Sequence, residues 1–324
     1  MPPVSREPRI RAAGSCGPYP CGVKPAHPDA LVPPDARTAI LAWYAAAGRP
    51  LAFRATSDPY AVLVSELMAQ QTQAERAAGA WTAWIARWPT AGDLAAASVA
   101  DVLRAWAGLG YNRRALALHR AAQAIVAGYG GRVPDDLEAL ERLPGVGPYT
   151  ARAVAAIAFN RSVGAVDTNV RRVLGRVAAG APESLTGRQM QALADAVVPA
   201  GAAAAWTHAL MDLGARLCAP RNPRCDTCPA APWCRYASAD RANAEPAASR
   251  RGEPSPAFET TRRWLRGRVL QRARDADDGS WVGYAEAIGS HPAAAVREAV
   301  IAMADEGLLE VRESAAMLQA RLPR

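Results

Sequence analysis

The sequence predicts a mainly α-helical protein with a metal-binding loop late in the chain and a small separate unit after it. Three observations predict this. Half of the 324 residues are hydrophobic while Phe is scarce, and Ala, the strongest helix former, is abundant. Apolar residues recur at helical spacing, and alternating β-branched runs are rare. Four cysteines, Cys218, Cys225, Cys228 and Cys234, crowd into one short loop. The length allows two or three domains and a sizeable core.

The formal net charge is +8, which suits a polyanionic partner such as nucleic acid. Nearly all of the positive charge is Arg, and the one lysine is Lys24. No stretch reaches the roughly 18 apolar residues of a membrane span. The N-terminus lacks the basic-then-apolar pattern of a secretory leader. A cytoplasmic, nucleoid-associated monomer with no membrane contact is therefore expected. Six cysteines could form disulfides in a secreted chain, but the crowding of four favours metal or cluster binding.

Residues 1–34 are rich in Pro, Gly and Arg without periodicity, and read as a disordered tail carrying Cys16 and Cys21 as unpaired thiols. Asp35 to Ala47 reads as a helix closed by Gly48. From Pro59 to Asn160 helical patterns follow one another, broken by Pro89, Gly110, Gly130–Gly131 and Pro144, and the style continues through 167–217. Residues 238–261 read as a linker. Residues 262–324 read as helix (Arg262–Ala276), short helix near Tyr284–Ile288, helix (Pro292–Glu306) and a hairpin of Leu308–Arg312 with Met317–Leu322. That order resembles a winged helix, able either to add DNA contacts through Arg297 and the wing or to serve as a packing module.

Residues 134–160 carry a short helix with Leu137, Leu140 and Leu143 on one side, a stop at Pro144, and a second helix with Ala151, Val154, Ala155 and Ala158 on one face. Between them Gly145 and Gly147 allow positive φ and a close backbone approach. The turn presents free N–H groups at a helix N-terminus, a seat for a phosphate oxygen. A plain helix–turn–helix would look similar. Further on, Val170, Val173, Leu174 and Val177 fit a buried helical face, with Arg171, Arg172 and Arg176 off it and Asp167 at the helix start. An ordinary N-cap is the common role for such an Asp. Upstream, Val62, Leu63 and Leu67 face a core while Glu66 sits on a neighbouring face among apolar residues, where an ionisable group is paired or functional.

The segment "LPGVGPYTA" resembles the helix-hairpin-helix of the endonuclease III and MutY-type DNA glycosylases, and the resemblance runs from about residue 36 to 236. It implies a helix-hairpin-helix glycosylase fold: a six-helix domain over 60–161 and an iron–sulfur domain from 35–59 with 162–237. By this resemblance Asp167 is the essential carboxylate that stabilises positive charge on the sugar as an N-glycosidic bond breaks, and Asn169 helps orient it. A lyase of this superfamily needs a Lys where this chain has Tyr149, so a monofunctional glycosylase is expected.

The string "SELMAQQTQ" closely resembles the MutY-type adenine glycosylases. It implies that Glu66 protonates the adenine ring and later activates water, that Gln70 and Gln71 contact the strands at the mispair, and that Tyr111 in "GLGYNRR" wedges beside the orphan base. Arg113, Arg114, Arg171 and Arg172 are candidate DNA contacts beside Gly145 and Gly147, and Tyr149 borders the adenine pocket. The cysteine spacing C-x6-C-x2-C-x5-C admits either a [4Fe–4S] cluster or zinc; the family resemblance implies the cluster, with Arg221 and Arg224 of its loop facing the DNA backbone. Two departures touch selectivity: "LAF" at Leu51-Ala52-Phe53, and Asn112 after Tyr111. The Nudix-like terminal domain of many MutY-type enzymes, with its Phe-Ser-His loop, is not visible. The implied partner is double-stranded DNA in which adenine is mispaired with guanine or 8-oxoguanine. The rival readings are a thymine/uracil mismatch glycosylase of the same superfamily and a non-catalytic DNA-binding regulator with an iron–sulfur cluster.

Overall fold

A computed structural model describes residues 27–239, 257–314 and 317–324. Cys16, Cys21 and Lys24 lie outside the described residues, as does most of the expected linker. The described chain is mainly helical, and its helices start and stop on local chemistry. In order they are α1 (Pro28–Leu31), α2 (Pro34–Ala47), α3 (Pro59–Ala69), α4 (Ala74–Arg87), α5 (Ala91–Ala95), α6 (Val99–Ala105), α7 (Arg113–Tyr129), α8 (Leu137–Glu141), α9 (Pro148–Phe159), α10 (Thr168–Ala179), α11 (Gly187–Ala196), α12 (Ala203–Arg216), α13 (Arg235–Ser238), α14 (Arg262–Asp275) and α15 (Ala293–Asp305). Pro59 opens α3 behind the Asp58 cap. Thr90 with Asp93, and Thr186 with Gln189, form reciprocal capping boxes on α5 and α11. Gly130 and Gly180 end α7 and α10 in the left-handed conformation. Asn160 ends α9 the same way, and its amide bonds the Gly201 carbonyl and the Ala203 N–H, tying the hairpin to α12.

Two cores form. The first is built by α3 to α9 around Trp84, Trp106, Leu63, Leu67, Leu118 and Ile125, with Trp84 set edge-on to Trp88 and Trp106. The second joins α2, α10, α11 and α12 through Ile40, Val173, Leu174, Leu193, Trp206 and Leu213, and reaches Cys234. The expected tail is shorter than 34 residues: α1 already forms, and Val32 is fully buried in the second core.

The C-terminal unit shares the first core through Leu265, Val269, Leu270, Val300 and Met303. Its strands β1 (Val282–Gly283), β2 (Glu310–Ser314) and β3 (Met317–Arg321) make an antiparallel sheet in the order β1-β3-β2. The short helix expected at Tyr284–Ile288 is absent. Tyr284 instead donates its N–H to the Leu318 carbonyl, extending the pairing of β1, and its hydroxyl to the Val269 carbonyl. Pairing with β3 outweighs the weak helical pattern there. Arg297 is ion-paired with Glu313 on β2. No helix among the described residues is long and apolar enough to cross a membrane.

Candidate functional site

A cleft of about 1640 Å³, open mouth included, lies along the seam between the two cores. It is lined from the first core by Glu66, Gln70, Gln71 and Tyr149, and from the second by Asp167, Asn169, Arg171 and His208. The predicted carboxylates, Asn169, Tyr149 and both glutamines therefore converge on one space.

Glu66 sits on the face of α3 that turns from Val62, Leu63 and Leu67 toward the cleft. Its carboxyl accepts a hydrogen bond from the Tyr149 hydroxyl at the start of α9. Burial pushes the Glu66 carboxyl up to about 7, against the Tyr149 bond and the Arg54 charge and with help from Asp167. Burial and the two nearby carboxylates push the Tyr149 phenol well above its ordinary value, so it stays a donor. The cleft thus holds a carboxylic acid that is half protonated near neutrality.

Asp167 is both a helix cap and a cleft residue. One oxygen accepts from the Val170 N–H at 2.6 Å and the other from the Asn169 amide at 2.9 Å. Asn169 in turn accepts from Arg172 at 2.7 Å. The close approach of α12 to this point requires Gly214, where a Cβ would fall 2.5 Å from that of Asn169.

Two arginines expected at DNA are committed inside the protein. Arg172 donates to the Cys218 and Gly214 carbonyls at 2.6 and 2.7 Å as well as to Asn169. Arg114 donates to the carbonyls of Leu67, Met68, Leu109 and Gly110 and to the Thr72 hydroxyl, clamping the end of α3 to the 109–110 turn. Both are positioning groups; their donors are spent on carbonyls that the loops leave open. Arg113, Arg221 and Arg224 are exposed, and Arg171 edges the cleft. In the hairpin, Gly145 has φ 79° and no room for a Cβ, which would lie 2.7 Å from that of Ala117. Gly147 has extended backbone and open surroundings, so its expected positive φ is not found. It caps α9 without a side chain, leaving N–H groups there exposed to a ligand. Gln70 bonds Thr150 at 3.1 Å, and Gln71 and Tyr111 hold φ of 54° and 46°.

Periodicity missed a buried group below the cleft. Asp212, fully buried on α12, accepts from the Arg49 N–H and guanidinium and from both terminal nitrogens of Arg54 at 2.7–2.9 Å. His208, one turn earlier, lines the cleft; burial and the Arg54 charge push its imidazole down to about 3, opposed by Asp212, so it is neutral. A His and an Asp four residues apart on an otherwise apolar helix were the available signal.

The four cysteines line a second pocket with about 360 Å³ of space, walled by Val173, Leu213 and Tyr236. All four are free thiols. Among the described residues no group of three or more His, Cys, Asp or Glu forms a site for a single metal ion. Arg176, expected on the polar side of α10, is buried here. Its guanidinium lies 3.3 Å from Cys218 Sγ, caps the Ala219 and Pro220 carbonyls and stacks on Tyr236.

The profile of the HhH-GPD superfamily base excision DNA repair proteins matches residues 64–199. An adenine DNA glycosylase of Mycobacterium tuberculosis (strain CDC 1551 / Oshkosh) is 46% identical over 249 residues, 74% of this chain and 79% of that protein. The adenine DNA glycosylase of Homo sapiens is 42% identical over 211 residues, 61% of this chain and 39% of the human protein. Among solved structures, a thermostable thymine-DNA glycosylase superposes with a TM-score of 0.59 at 31% identity, over 62% of this chain and 94% of that one. An endonuclease III trapped covalently on DNA shares the fold, with a TM-score of 0.54 at 22% identity over 62% and 93% of the two chains. A cleft with two convergent carboxylates beside a glycine hairpin, and a relative matched over most of its length, lead to one conclusion: the chain belongs to the HhH-GPD superfamily of base excision DNA repair proteins, as a DNA glycosylase of the MutY type.

Proposed function

We propose that this enzyme excises adenine mispaired with guanine or 8-oxoguanine in double-stranded DNA. The observation that carries the reading is the pair Glu66 and Asp167 in one cleft, with Glu66 held half protonated near pH 7. A purine leaves readily only when its ring is protonated, and a buried acid supplies that proton. The adenine leaves the stack to enter the cleft. Glu66 gives its proton to a ring nitrogen, and the bond from that base to the sugar C1′ breaks with its electrons going to the base. The Asp167 carboxylate, fixed by Asn169 and the α10 N-terminus, stabilises the positive charge left on the sugar. Glu66, now a carboxylate, takes a proton from water as the oxygen bonds C1′. Tyr149 keeps Glu66 aimed throughout.

Gln70 and Gln71 contact the mispaired strands, Tyr111 wedges beside the orphan base, and Gly145, Gly147, Arg113, Arg171, Arg221 and Arg224 meet phosphates. Tyr149 occupies the position where a lyase carries its Schiff-base lysine, so the reaction stops at the abasic site.

Cys218, Cys225, Cys228 and Cys234 fit a [4Fe–4S] cluster. They line one pocket, and the buried Arg176 cation offsets the net negative charge of a thiolate-held cluster. These four cysteines would hold the cluster within the 218–234 loop, tying that loop to itself at four points, while Arg176 of α10 anchors the loop by hydrogen bonds. Purified protein should contain iron and sulfide in equal amounts; a colourless, iron-free but folded and active protein would refute this assignment.

Single-turnover assays on duplexes with A opposite 8-oxoguanine, A opposite G, T opposite G and U opposite G test the whole reading. Adenine release is expected, with strand breaks appearing after alkali. Preferred release of thymine or uracil would favour the relative named thymine/uracil-DNA glycosylase, 32% identical over 200 residues. Breaks without alkali, trapped by borohydride, would contradict the monofunctional assignment.

A further inference from the structure

The C-terminal unit reaches the wedge loop. Tyr111 is exposed at the tip of that loop, in a left-handed conformation uncommon outside glycine. Arg263, in the first turn of α14, lays its guanidinium 4.5 Å from the Tyr111 ring centroid, with Nη1 3.3 Å from the phenol oxygen. Gly110, with φ of 69°, lies beside it, 3.6 Å from Arg263 Nη2 at the place of a Cβ, an ordinary contact distance. The neighbours of Arg263 are paired, Arg262 with Glu298 and Arg266 with Glu306. Arg263 itself is exposed and has no carboxylate partner among the described residues. Its helix is braced against the same loop, since Arg274 donates to the Leu103 carbonyl at 2.9 Å and to Asn112 Oδ1 at 2.8 Å. The unit and the six-helix body share one core.

We propose that Arg263 reads the base left opposite the adenine, donating to the O6 and N7 of guanine beside the Tyr111 wedge. This rests on the mispaired-adenine reading given above. The chemistry favours it over a phosphate contact. A planar guanidinium fork matches the O6 and N7 acceptors of guanine. Stacking on a tyrosine face fixes the plane of that fork and leaves donors free at its edge. The residue that disrupts the pair and the residue that reads its orphan are then held together by side-chain contact. In 8-oxoguanine N7 carries a proton and no longer accepts, so Arg263 serves A:G pairs more than A:8-oxoguanine pairs. The C-terminal unit thereby contributes to opposite-base selection.

The test uses Arg263→Gln and Arg263→Lys on duplexes with G, 7-deazaguanine or 8-oxoguanine opposite adenine. Binding is measured with a non-cleavable 2′-fluoro adenine nucleotide, and excision with ordinary adenine. Wild type should bind the G duplex about tenfold more tightly than the 7-deazaguanine duplex, the scale of one base-edge contact. Arg263→Gln should lose that tenfold on G and be indifferent to the 7-deaza change; Arg263→Lys should not restore it. Uniform weakening on all three duplexes, restored by Lys, would mean a phosphate contact and overturn the proposal, as would wild-type discrimination retained in Arg263→Gln. Melting temperatures check that the exposed substitution leaves the fold intact. Absence of adenine excision by wild type would instead refute the functional reading, while the binding arm still reads Arg263.

Discussion

Glu66→Gln is expected to lower adenine excision at pH 7 by about 10²–10⁴-fold, the usual worth of a general acid, while duplex binding is retained. The amide keeps the shape and can still meet Tyr149, but has no proton to give. In wild type the excision rate should fall as pH rises through about 7, because burial holds the Glu66 carboxyl up to that value and its acid form is lost there. The same shift sets a stability effect. The folded pKa lies above the ordinary 4.5, so the unfolded chain gives up this proton first and folding weakens as pH climbs from about 4.5 to 7. Glu66→Gln removes that cost and should stabilise the protein by roughly 3 kcal/mol at pH 8 and by nothing at pH 4. Single-turnover rates and thermal melts across this range check both. A substituted enzyme as fast as wild type, or a rate flat through pH 7, would sink the acid assignment.

How far the sequence carried depended on the range of the interaction. Helix borders were legible where breakers act locally, as at Gly48, Pro59 and Gly130. Glu66 stood out by its apolar neighbours, while the pattern alone marked Asp167 as an ordinary cap and only the family resemblance singled it out; the fold brings both to one cleft. Arg114, Arg172 and Arg176 were misplaced for one shared reason. Helical periodicity puts a charged residue on the solvent side, yet each of these guanidiniums answers carbonyls 40 or more residues away, at the end of α3 for Arg114 and in the loop after α12 for Arg172 and Arg176. The turn after β1 was misplaced likewise, since its partner Leu318 lies far along the chain. Long-range hydrogen bonding leaves no periodic trace.

Asp212 is the strongest case of such a partner, and Asp212→Asn should cost about 3–5 kcal/mol of stability, the penalty for leaving buried charges unpaired. Burial alone would raise this carboxyl. The hydrogen bonds and charges of Arg54 and Arg49 outweigh it and hold Asp212 below its ordinary value. Its contribution is therefore present above about pH 4 and lost as pH falls through the lowered value. The consequence reaches catalysis through Arg54. That guanidinium is shielded by Asp212, and its charge pulls the Glu66 carboxyl down. With Asp212 neutral, Arg54 acts on Glu66 uncompensated, so the falling limb of the pH–rate profile should move to lower pH. Arg54→Met removes the charge and should move the limb the other way. The two substitutions both damage packing but shift the profile in opposite directions, which a general loss of rigidity cannot do. Profiles measured well below each variant's melting temperature decide the matter. A limb that stays at 7 in both would reduce Asp212 to a brace for the 49–54 segment, with no part in setting the proton affinity of the acid.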